Sequence, residues 1–445
     1  MQVYDWQAQI NNNGRISTYD MYVDVNTGAP VRFHMLGYDI LLGSHFDEYV
    51  FDYLSFSNSS AAPFPNSIFN QPAGMKCGNF PGPGASIVAQ GNALVRELMP
   101  ASPEAHIPAG AKEDPAFTAF MEQYGKVYVN DEELANRQSI FTKNRRLIAA
   151  HNKKASASGR SLRLAMNPLG DATPEERFMR MGRDRTGKSV RATRLADARL
   201  TGESVSNGAT GVHPAPATLK DLPQSLDWRG LGAVEPVQDQ GICGSCWSHG
   251  ATAAISGAYF LKYGAMYVFS KQELIDCSWP FGNNGCGGGE DFSGYQWIMQ
   301  NGGLSTRANY GPYLMQNGRC AARNAGVKPT VVLTGYVNIT SGSESAMMSA
   351  LFTQGPVSIS VDASLPTFDF YSDGIYDDPN CANGLDALDH TISAVGYGVD
   401  PISGQTFWIV KNSWSTHWGR EGFIYIARQG NVCGVTTAAT YPLIA

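Results

Sequence analysis

The densest chemistry in the chain lies in Gln238-Asp239-Gln240-Gly241-Ile242-Cys243-Gly244-Ser245-Cys246-Trp247. Behind Cys246 comes a helix-forming run, Ala251-Thr252-Ala253-Ala254-Ile255. A thiol at a helix N-terminus meets the positive end of the dipole and unpaired N–H groups. Both favour the thiolate, the nucleophilic form. Gln240 stands on a loop with Gly241 and Gly244. Its side-chain amide can donate toward an oxyanion beside Cys246, together with the Cys246 backbone N–H. A thiolate needs a base, and the base an orienter. Beyond residue 221 the histidines are His249, His390 and His417. His390 opens an apolar strand, Thr391-Ile392-Ser393-Ala394-Val395, and would sit at a rigid edge. Asn412 ends another, Trp408-Ile409-Val410-Lys411. An Asn amide can accept from one imidazole nitrogen and leave the other facing a thiol. Trp414 would shield that bond from water.

The elements that must position these residues divide by charge. Residues 1–113 hold 5 Lys/Arg against 10 Asp/Glu, 114–221 hold 18 against 12, and 222–445 hold 10 against 17. A basic middle therefore separates two acidic ends, and the net charge of −6 argues against nucleic acid as a partner. At 445 residues the chain should contain two or three domains. No run of 18 apolar residues exists to span a bilayer. The first segment, 1–105, reads as β: Met21–Val25 and Val31–Met35 flank the turn residues Asn26-Thr27-Gly28-Ala29-Pro30, and Tyr49–Tyr53 is a further strand. The second, 115–180, reads as helical, with Phe117, Phe120, Met121 and Tyr124 at helical spacing and a longer helix from about Glu132 to His151. Residues 181–221, rich in Arg, Thr, Gly and Ser, read as a flexible, protease-accessible linker. In 222–445 a short helix near Ser245 precedes strands at Val357–Val361, Thr391–Tyr397, Phe407–Lys411 and Phe423–Ala427. Helix first and strands later predicts two packed halves, an α+β architecture.

Seven of the eight cysteines lie beyond residue 221, so pairing there leaves at least one thiol free. Sequons at Asn58 and Asn338 fit a secretory route. The first five residues carry neither a basic n-region nor an apolar h-region, so a leader is expected to lie outside this sequence.

Taken together, Gln240-Gly241-Ile242-Cys243-Gly244-Ser245-Cys246-Trp247, Asp389-His390 and Lys411-Asn412-Ser413-Trp414 resemble the papain-like cysteine peptidases, whose nucleophile signature is a known motif. The resemblance covers about residues 115 to 445. Glu133, Arg137, Ile140, Phe141, Asn144, Ile148 and Asn152 resemble the helical signature of the inhibitory propeptides of the cathepsin L-like branch. Ala165, Asn167, Leu169 and Asp171 match a further prosegment motif at two of four positions. The resemblance implies a two-lobed fold and a zymogen. It makes Cys246 the nucleophile, His390 the base and then the acid, Asn412 the orienter and Gln240 the oxyanion donor. It needs no cofactor or metal. Sequence alone allows 15 pairings of six cysteines; the resemblance selects Cys243–Cys286, Cys277–Cys320 and Cys381–Cys433.

Two positions depart from the family's habit. His249 stands where an aromatic is usual, and reads either as a helix side chain packed inside or as a perturber of the thiol. Ser415 replaces a usual Gly. The second substrate pocket is expected beside Gly288 and Gly289, with Glu290 and Asp291 as wall, Ala438 as floor, and Leu388 and Ser360 at the sides. Asp389 and Trp414 complete the expected substrate-binding set. Apolar P2 residues should bind; Glu290 either admits a basic P2 side chain or points to solvent. No inserted loop with a His pair lies between Cys286 and Cys320, which favours an endopeptidase over a carboxydipeptidase.

The expected partners are peptide and protein substrates and the chain's own propeptide, with a lysosomal, endosomal or extracellular location. The basic propeptide should dock on the acidic enzyme by Coulomb attraction that acid weakens, with a cut in 181–221 and a mature start near Leu222. Tyr22-Val23-Asp24 and Val31-Arg32-Phe33-His34 are similar to a smaller group of papain-like proteins with an added N-terminal β domain, which would bind lipid, glycan or protein, or assist folding. Three other readings stand beside this one: a non-catalytic adhesion or signalling protein reusing the fold, an exopeptidase limited by the N-terminal domain, and a Cys/His metal protein. The last lacks a second pair with zinc spacing.

Overall fold

The computed structural model describes residues 3–12, 15–38, 46–53, 114–128, 130–182, 208–324 and 326–445. Asn58, Cys77 and linker residues 183–207 lie outside them. The chain divides into two units, 1–133 and 134–445.

The first unit contains an antiparallel meander, β1 (Val3–Asn12), β2 (Arg15–Asp24), β3 (Pro30–Tyr38) and β4 (Phe46–Asp52), paired in that order. The hairpin expected at Asn26–Pro30 joins β2 to β3. There the Asp24 carboxylate accepts from the N–H groups of Asn26 and Thr27, and Gly28 takes φ +67°. Arg32 pairs with Asp52 across β3 and β4 at 2.6 Å. Strand β1 was not foreseen. Its polar residues interrupt any simple alternation, and it is fixed by pairing along the whole of β2. Helix α1 (Pro115–Tyr124) is capped by Asp114 and stopped by left-handed Gly125.

Helix α2 (Asp131–Ala157) runs further than the sequence pattern suggested. Arg137, Asn144 and Asn152 each fasten the chain that returns beside it. Arg137 donates to the Asp171 carbonyl at 3.1 Å and forks onto Glu176. Asn144 donates to the Gly170 carbonyl at 2.9 Å. Asn152 bonds Leu164 in both directions, at 2.8 and 3.0 Å. The returning chain forms β5 (Arg163–Leu164) and α3 (Pro174–Arg180), the latter started by a Thr173–Glu176 capping box.

Residues 208–445 build two lobes. In the helical lobe, α4 (Cys246–Tyr263) is 18 residues long, where a short helix was expected. With α5 (Lys271–Cys277), α6 (Asp291–Asn301) and α7 (Arg307–Tyr310) it surrounds a core of Trp247, Ile255, Phe269, Leu274, Phe292 and Ile298. The other lobe is a nine-stranded sheet of β6 (Gly211–His213), β7 (Leu226–Asp227), β8 (Leu333–Ile339), β9 (Val357–Val361), β11 (Ile375–Tyr376), β12 (His390–Val399), β13 (Thr406–Lys411), β14 (Phe423–Ala427) and β15 (Ala439–Ile444). It runs β11-β14-β13-β12-β9-β15-β8-β6, with β7 on β12. A separate strand, β10 (Tyr371–Asp373), pairs with β5. Helices α8 (Glu344–Gln354) and α9 (Pro366–Asp369) complete this lobe. Its core includes Val357, Ile359, Trp408 and Val410, and takes in Ile148, Leu162, Leu164 and Leu169 from the basic middle segment. Helix α4 packs on β9, β12 and β15. Gly250 permits that approach, since a Cβ there would lie 2.7 Å from Thr391 Cγ2.

Cys243–Cys286, Cys277–Cys320 and Cys381–Cys433 are bonded, the pairing the resemblance implies. Among the described residues Cys246 is the free cysteine.

The linker expectation needs correction. Residues 208–213 are not without regular structure. Strand β6 joins the enzyme sheet in parallel with β8, extended by bonds from Thr210 N–H to the Tyr336 carbonyl and from Thr340 N–H to the His213 carbonyl. His213 anchors it, with Nδ1 3.1 Å from the Tyr441 hydroxyl and Nε2 3.1 Å from the Ser349 hydroxyl. An available sheet edge supplies order that three residues without a clear pattern do not advertise. Asn338 lies half-buried in β8, between β6 and β15.

Candidate active site

Cys246 is the first residue of α4 and is wholly buried. Its sulfur accepts the Thr391 N–H at 3.3 Å. His390 begins β12 and Asn412 follows β13, so neighbouring strands bring them together. His390 Nε2 lies 2.8 Å from Asn412 Oδ1, which also accepts the Ser413 N–H at 2.7 Å. These contacts orient the amide and leave His390 Nδ1 without a hydrogen-bond partner. Trp414 lies over the imidazole, ring centres 4.8 Å apart, and is braced by Phe368 and Trp418.

Gln240 is fixed at both ends of its amide. Oε1 accepts from the Ser413 hydroxyl at 2.6 Å, and Nε2 donates to the Cys243 carbonyl at 2.9 Å. Nε2 also donates to the Arg180 carbonyl at 2.8 Å. The Gln240–Cys246 loop is held to the other lobe by Gln240 N–H on the Ser413 carbonyl and Ser415 N–H on the Gln238 carbonyl. Within the loop, the Tyr313 hydroxyl donates to the Gln240 carbonyl at 2.9 Å, so the Ser245 hydroxyl, 2.6 Å away, donates to Tyr313.

Residues 180–182 cross the site. The Gly182 carbonyl accepts the Gly289 N–H at 2.8 Å, and the Gly182 N–H faces the Cys246 sulfur. A Cβ on Gly182 would stand 2.0 Å from the Gly244 carbonyl oxygen, so only glycine fits. Burial pushes the Cys246 thiol up to about 11, against the Thr391 and Gly182 N–H groups. Burial also drives His390 down to about 4; the Asn412 bond opposes this and the Arg180 charge adds to it. Both groups are therefore neutral while this segment is in place.

The expected pocket residues are placed unequally. Gly289 carries the bond to Gly182, with Gly288 beside it. Glu290 is buried, its N–H on Asn283, so it does not point to solvent here. Asp291 is fully buried with both oxygens engaged, one by the Thr440 hydroxyl at 2.6 Å and one by the Phe292 N–H. As a helix-start and inter-lobe anchor it offers no open wall. Leu388 and Ala438 are buried, and Ser360 is turned to Thr391 at 3.1 Å. Asp389 accepts from the Ala363 N–H at 2.8 Å, and burial raises its carboxyl to about 7. His249 is buried in α4, its ring edge-to-face with Tyr313 at 5.0 Å, and His417 is exposed.

Sequence reasoning missed one cluster. Glu235 is buried beneath the site and takes Lys271 at 2.7 and 2.8 Å, Lys411 at 3.2 Å and the Ser256 hydroxyl at 3.2 Å. The two ammonium groups hold its carboxylate below the usual range against burial. Burial lowers Lys271 to about 8. Lys411 stands next to Asn412, so this cluster anchors the strand end that presents the orienting amide. The one signal for it was a lysine beside Asn412 with no acid nearby in sequence.

Comparison with known proteins agrees with this geometry. Residues 222–443 match the papain family cysteine protease domain, and 117–177 the cathepsin propeptide inhibitor domain (I29). A cathepsin L-like peptidase of Aedes aegypti is 40% identical over 331 residues, 74% of this chain and 92% of that protein. Procathepsin L of Mus musculus is 38% identical over 344 residues, 76% of this chain and 95% of its own. The structure of digestive procathepsin L 3 from Tenebrio molitor larval midgut superposes with a TM-score of 0.62 at 34% identity, covering 74% of this chain and 98% of that one.

Proposed function

Because the chain belongs to the papain family of cysteine proteases, as a cathepsin L-like zymogen with its own I29 propeptide, we propose that Cys246, His390, Asn412 and Gln240 carry its peptide-bond hydrolysis. With the propeptide gone, the thiol passes its proton to His390 Nδ1, the nitrogen turned away from Asn412. The thiolate attacks the scissile carbonyl carbon. The oxyanion receives the Gln240 Nε2–H and the Cys246 N–H, taking the place the Arg180 carbonyl now fills. His390 then protonates the departing amine, leaving a thioester on Cys246. Water, deprotonated by the same imidazole, attacks the thioester and releases the acid. Asn412 holds the ring in the tautomer this needs, and Trp414 keeps water from that bond.

The observation that carries this reading is the Gln240 amide already holding a peptide carbonyl beside a free, buried cysteine. That peptide survives because the carbonyl held is Arg180's while Gly182 faces the sulfur, and because thiol and imidazole are both neutral. The test uses the acid-activated chain with an epoxide-type thiol inhibitor. Mass spectrometry should place the adduct on Cys246 alone, and Cys246→Ala should lose hydrolysis by at least about 10³-fold. Hydrolysis by the Ala variant, or an adduct elsewhere, would overturn it.

Activation is by acid. Burial depresses the His390 imidazole, and the propeptide adds the charge of Arg180 beside it. A depressed His contributes stability present above its ordinary value near 6.5 and lost as pH falls toward about 4. The released cleft binds that proton better, so acid favours release, by at most about 3 kcal/mol over that range. Cleavage falls in 181–221, and the exposed run 214–221 before Leu222 suits it. The three bridges fit an oxidising lysosomal, endosomal or extracellular setting. No helix among the described residues is long and apolar enough to cross a membrane. Peptide and protein chains with apolar P2 residues are the substrates. Glu290 also admits a basic P2 side chain once Gly182 has left Gly289.

A further inference from the structure

Beneath the catalytic groups, between the first turns of α4 and the ends of β12 and β13, lies a small cavity. Its lining includes His249, Gly250, Thr391, Lys411, Asn412 and Ser413. Two buried polar atoms here lack a hydrogen-bond partner: His249 Nε2 and Asn412 Nδ2. A buried polar group without a partner costs free energy, so such atoms in a close-packed floor call for one. Their chemistry is complementary. Asn412 Oδ1 is committed to His390 and to the Ser413 N–H, which leaves Nδ2 as a donor. His249 is buried. Burial, and then the charges of Lys271 and Lys411, hold it well below its ordinary value. A neutral imidazole presents one bare nitrogen, an acceptor. The cavity opens about 10 Å³ to the centres of water-sized spheres, close to the least that one water needs, roughly 10–15 Å³.

We propose that a single buried water links these atoms, accepting from Asn412 Nδ2 and donating to His249 Nε2, and that His249 is thereby a positioning residue for the catalytic His390. The chain of contacts runs His249, water, Asn412, His390. It gives the Asn412 amide a second anchor on α4, the helix that carries Cys246. Nucleophile and base are then referenced to one rigid element through His249, as well as to the sheet. Tyr313, packed against His249 and bonded to the Gln240 carbonyl, ties the oxyanion loop to the same ring.

The inference rests on reading Asn412 as the orienter, and the experiment separates the two. Full-length chain carrying His249→Phe, His249→Gln, Asn412→Ala or the His249→Phe/Asn412→Ala pair is matured in acid. Active sites are counted with the epoxide inhibitor, and kcat and KM are read across pH. Phe keeps the bulk of the ring. Gln restores an acceptor near the Nε2 position. His249→Phe should lower kcat about five- to tenfold, the loss of one buried hydrogen-bonded link, with KM unchanged and the acidic limb of the pH profile displaced. His249→Gln should recover most of the kcat. In the Asn412→Ala background His249→Phe should cost less than twofold. A high-resolution structure of the mature enzyme should show the bridging water. An unchanged kcat in His249→Phe overturns the inference, as does an equal loss in both backgrounds or a dry cavity. An Asn412→Ala variant with full activity overturns the orienter reading instead. If His249→Phe does not mature, His249→Leu replaces it, and the Gln variant and the water are judged as stated.

Discussion

The propeptide meets the enzyme in two regions that work differently. Along β5 and its flanks side chains and buried apolar groups reinforce a short backbone pairing with β10. Asn167 donates to the Asp369 carbonyl at 2.7 Å, Arg160 reaches Asp377, and Leu162 and Leu164 enter the enzyme core. Across the cleft the backbone makes the contacts with the catalytic groups, the Arg180 carbonyl on Gln240 and the Gly182 carbonyl on Gly289, while buried Met181 and Arg180, 3.7 Å from Asp239, steady the segment. Affinity is built where side chains pack. Blockade is built where the backbone imitates a substrate. The two can therefore be damaged separately.

The largest effect should come from the blockade. Gly182→Ala puts a methyl group where a carbonyl oxygen lies 2.0 Å away. The segment must lift from the cleft while α2 and β5 stay docked. Hydrolysis of a small peptide by the uncleaved chain at neutral pH should rise about tenfold or more, with little change in thermal unfolding, since a clash of this kind costs about 1–3 kcal/mol. A silent, uncleaved variant would show that Met181 and Arg180 keep the segment in the cleft despite the clash.

Removing an anchor of the docked scaffold should do the reverse. Arg137→Ala strips Glu176 and the Asp171 carbonyl of their partner in a nearly buried site. It should cost about 2–4 kcal/mol of propeptide stability, read as a lower unfolding temperature of the zymogen, with the mature enzyme's kcat unaltered.

A smaller effect is expected at the seam between the regions. Arg177 lies 3.2 Å from Asp369. Burial raises that carboxyl to about 6, while Arg177 and then Arg180 pull it down. A raised acid contributes folded-state stability at low pH that is lost as pH rises through about 6, so burial alone does not loosen the zymogen in acid. What acid removes is the Arg177 attraction, which exists only with Asp369 ionised. Asp369→Asn should therefore shift the pH midpoint of activation upward by roughly half a unit, a partly screened pair. An unmoved midpoint would leave His390 as the main proton site.

The smallest effect concerns Glu290, whose N–H neighbours the Gly289 anchor. In the mature enzyme a P2-Arg peptide should gain severalfold over P2-Leu at neutral relative to acidic pH, as an exposed charge pair would provide. No such gain would return Glu290 to a structural role.

Legibility followed sequence distance. The Cys246 loop and the helix behind it were readable because their parts are contiguous, and His390 and Asn412 because each sits at the end of an apolar strand. The helix is longer than expected, and Gly250 and Gly257 within it serve close packing on Thr391 and Pro356. Glu235, Lys271 and Lys411 were not readable as a cluster, because their partners lie 36 and 176 residues apart and each lysine alone looks like a surface charge. The occupation of Gln240 by Arg180 depends on the register of a segment that crosses the cleft after the helix Pro174–Arg180. No local pattern encodes that register.

Strand β6 decides what kind of surface maturation leaves behind. While it is attached, the outer rim of β8 is satisfied by Gly211–His213. A cut between Pro214 and Leu222 turns β6 into a detached hem, held by a few backbone bonds and His213. Its departure bares a row of unpaired amides and carbonyls, an invitation to self-association. A cut upstream of Gly208 leaves the hem sewn on. The position of one scissile bond thus sets the shelf life of the finished enzyme as well as its activity, and the concentration at which each product begins to sediment as a dimer would tell them apart.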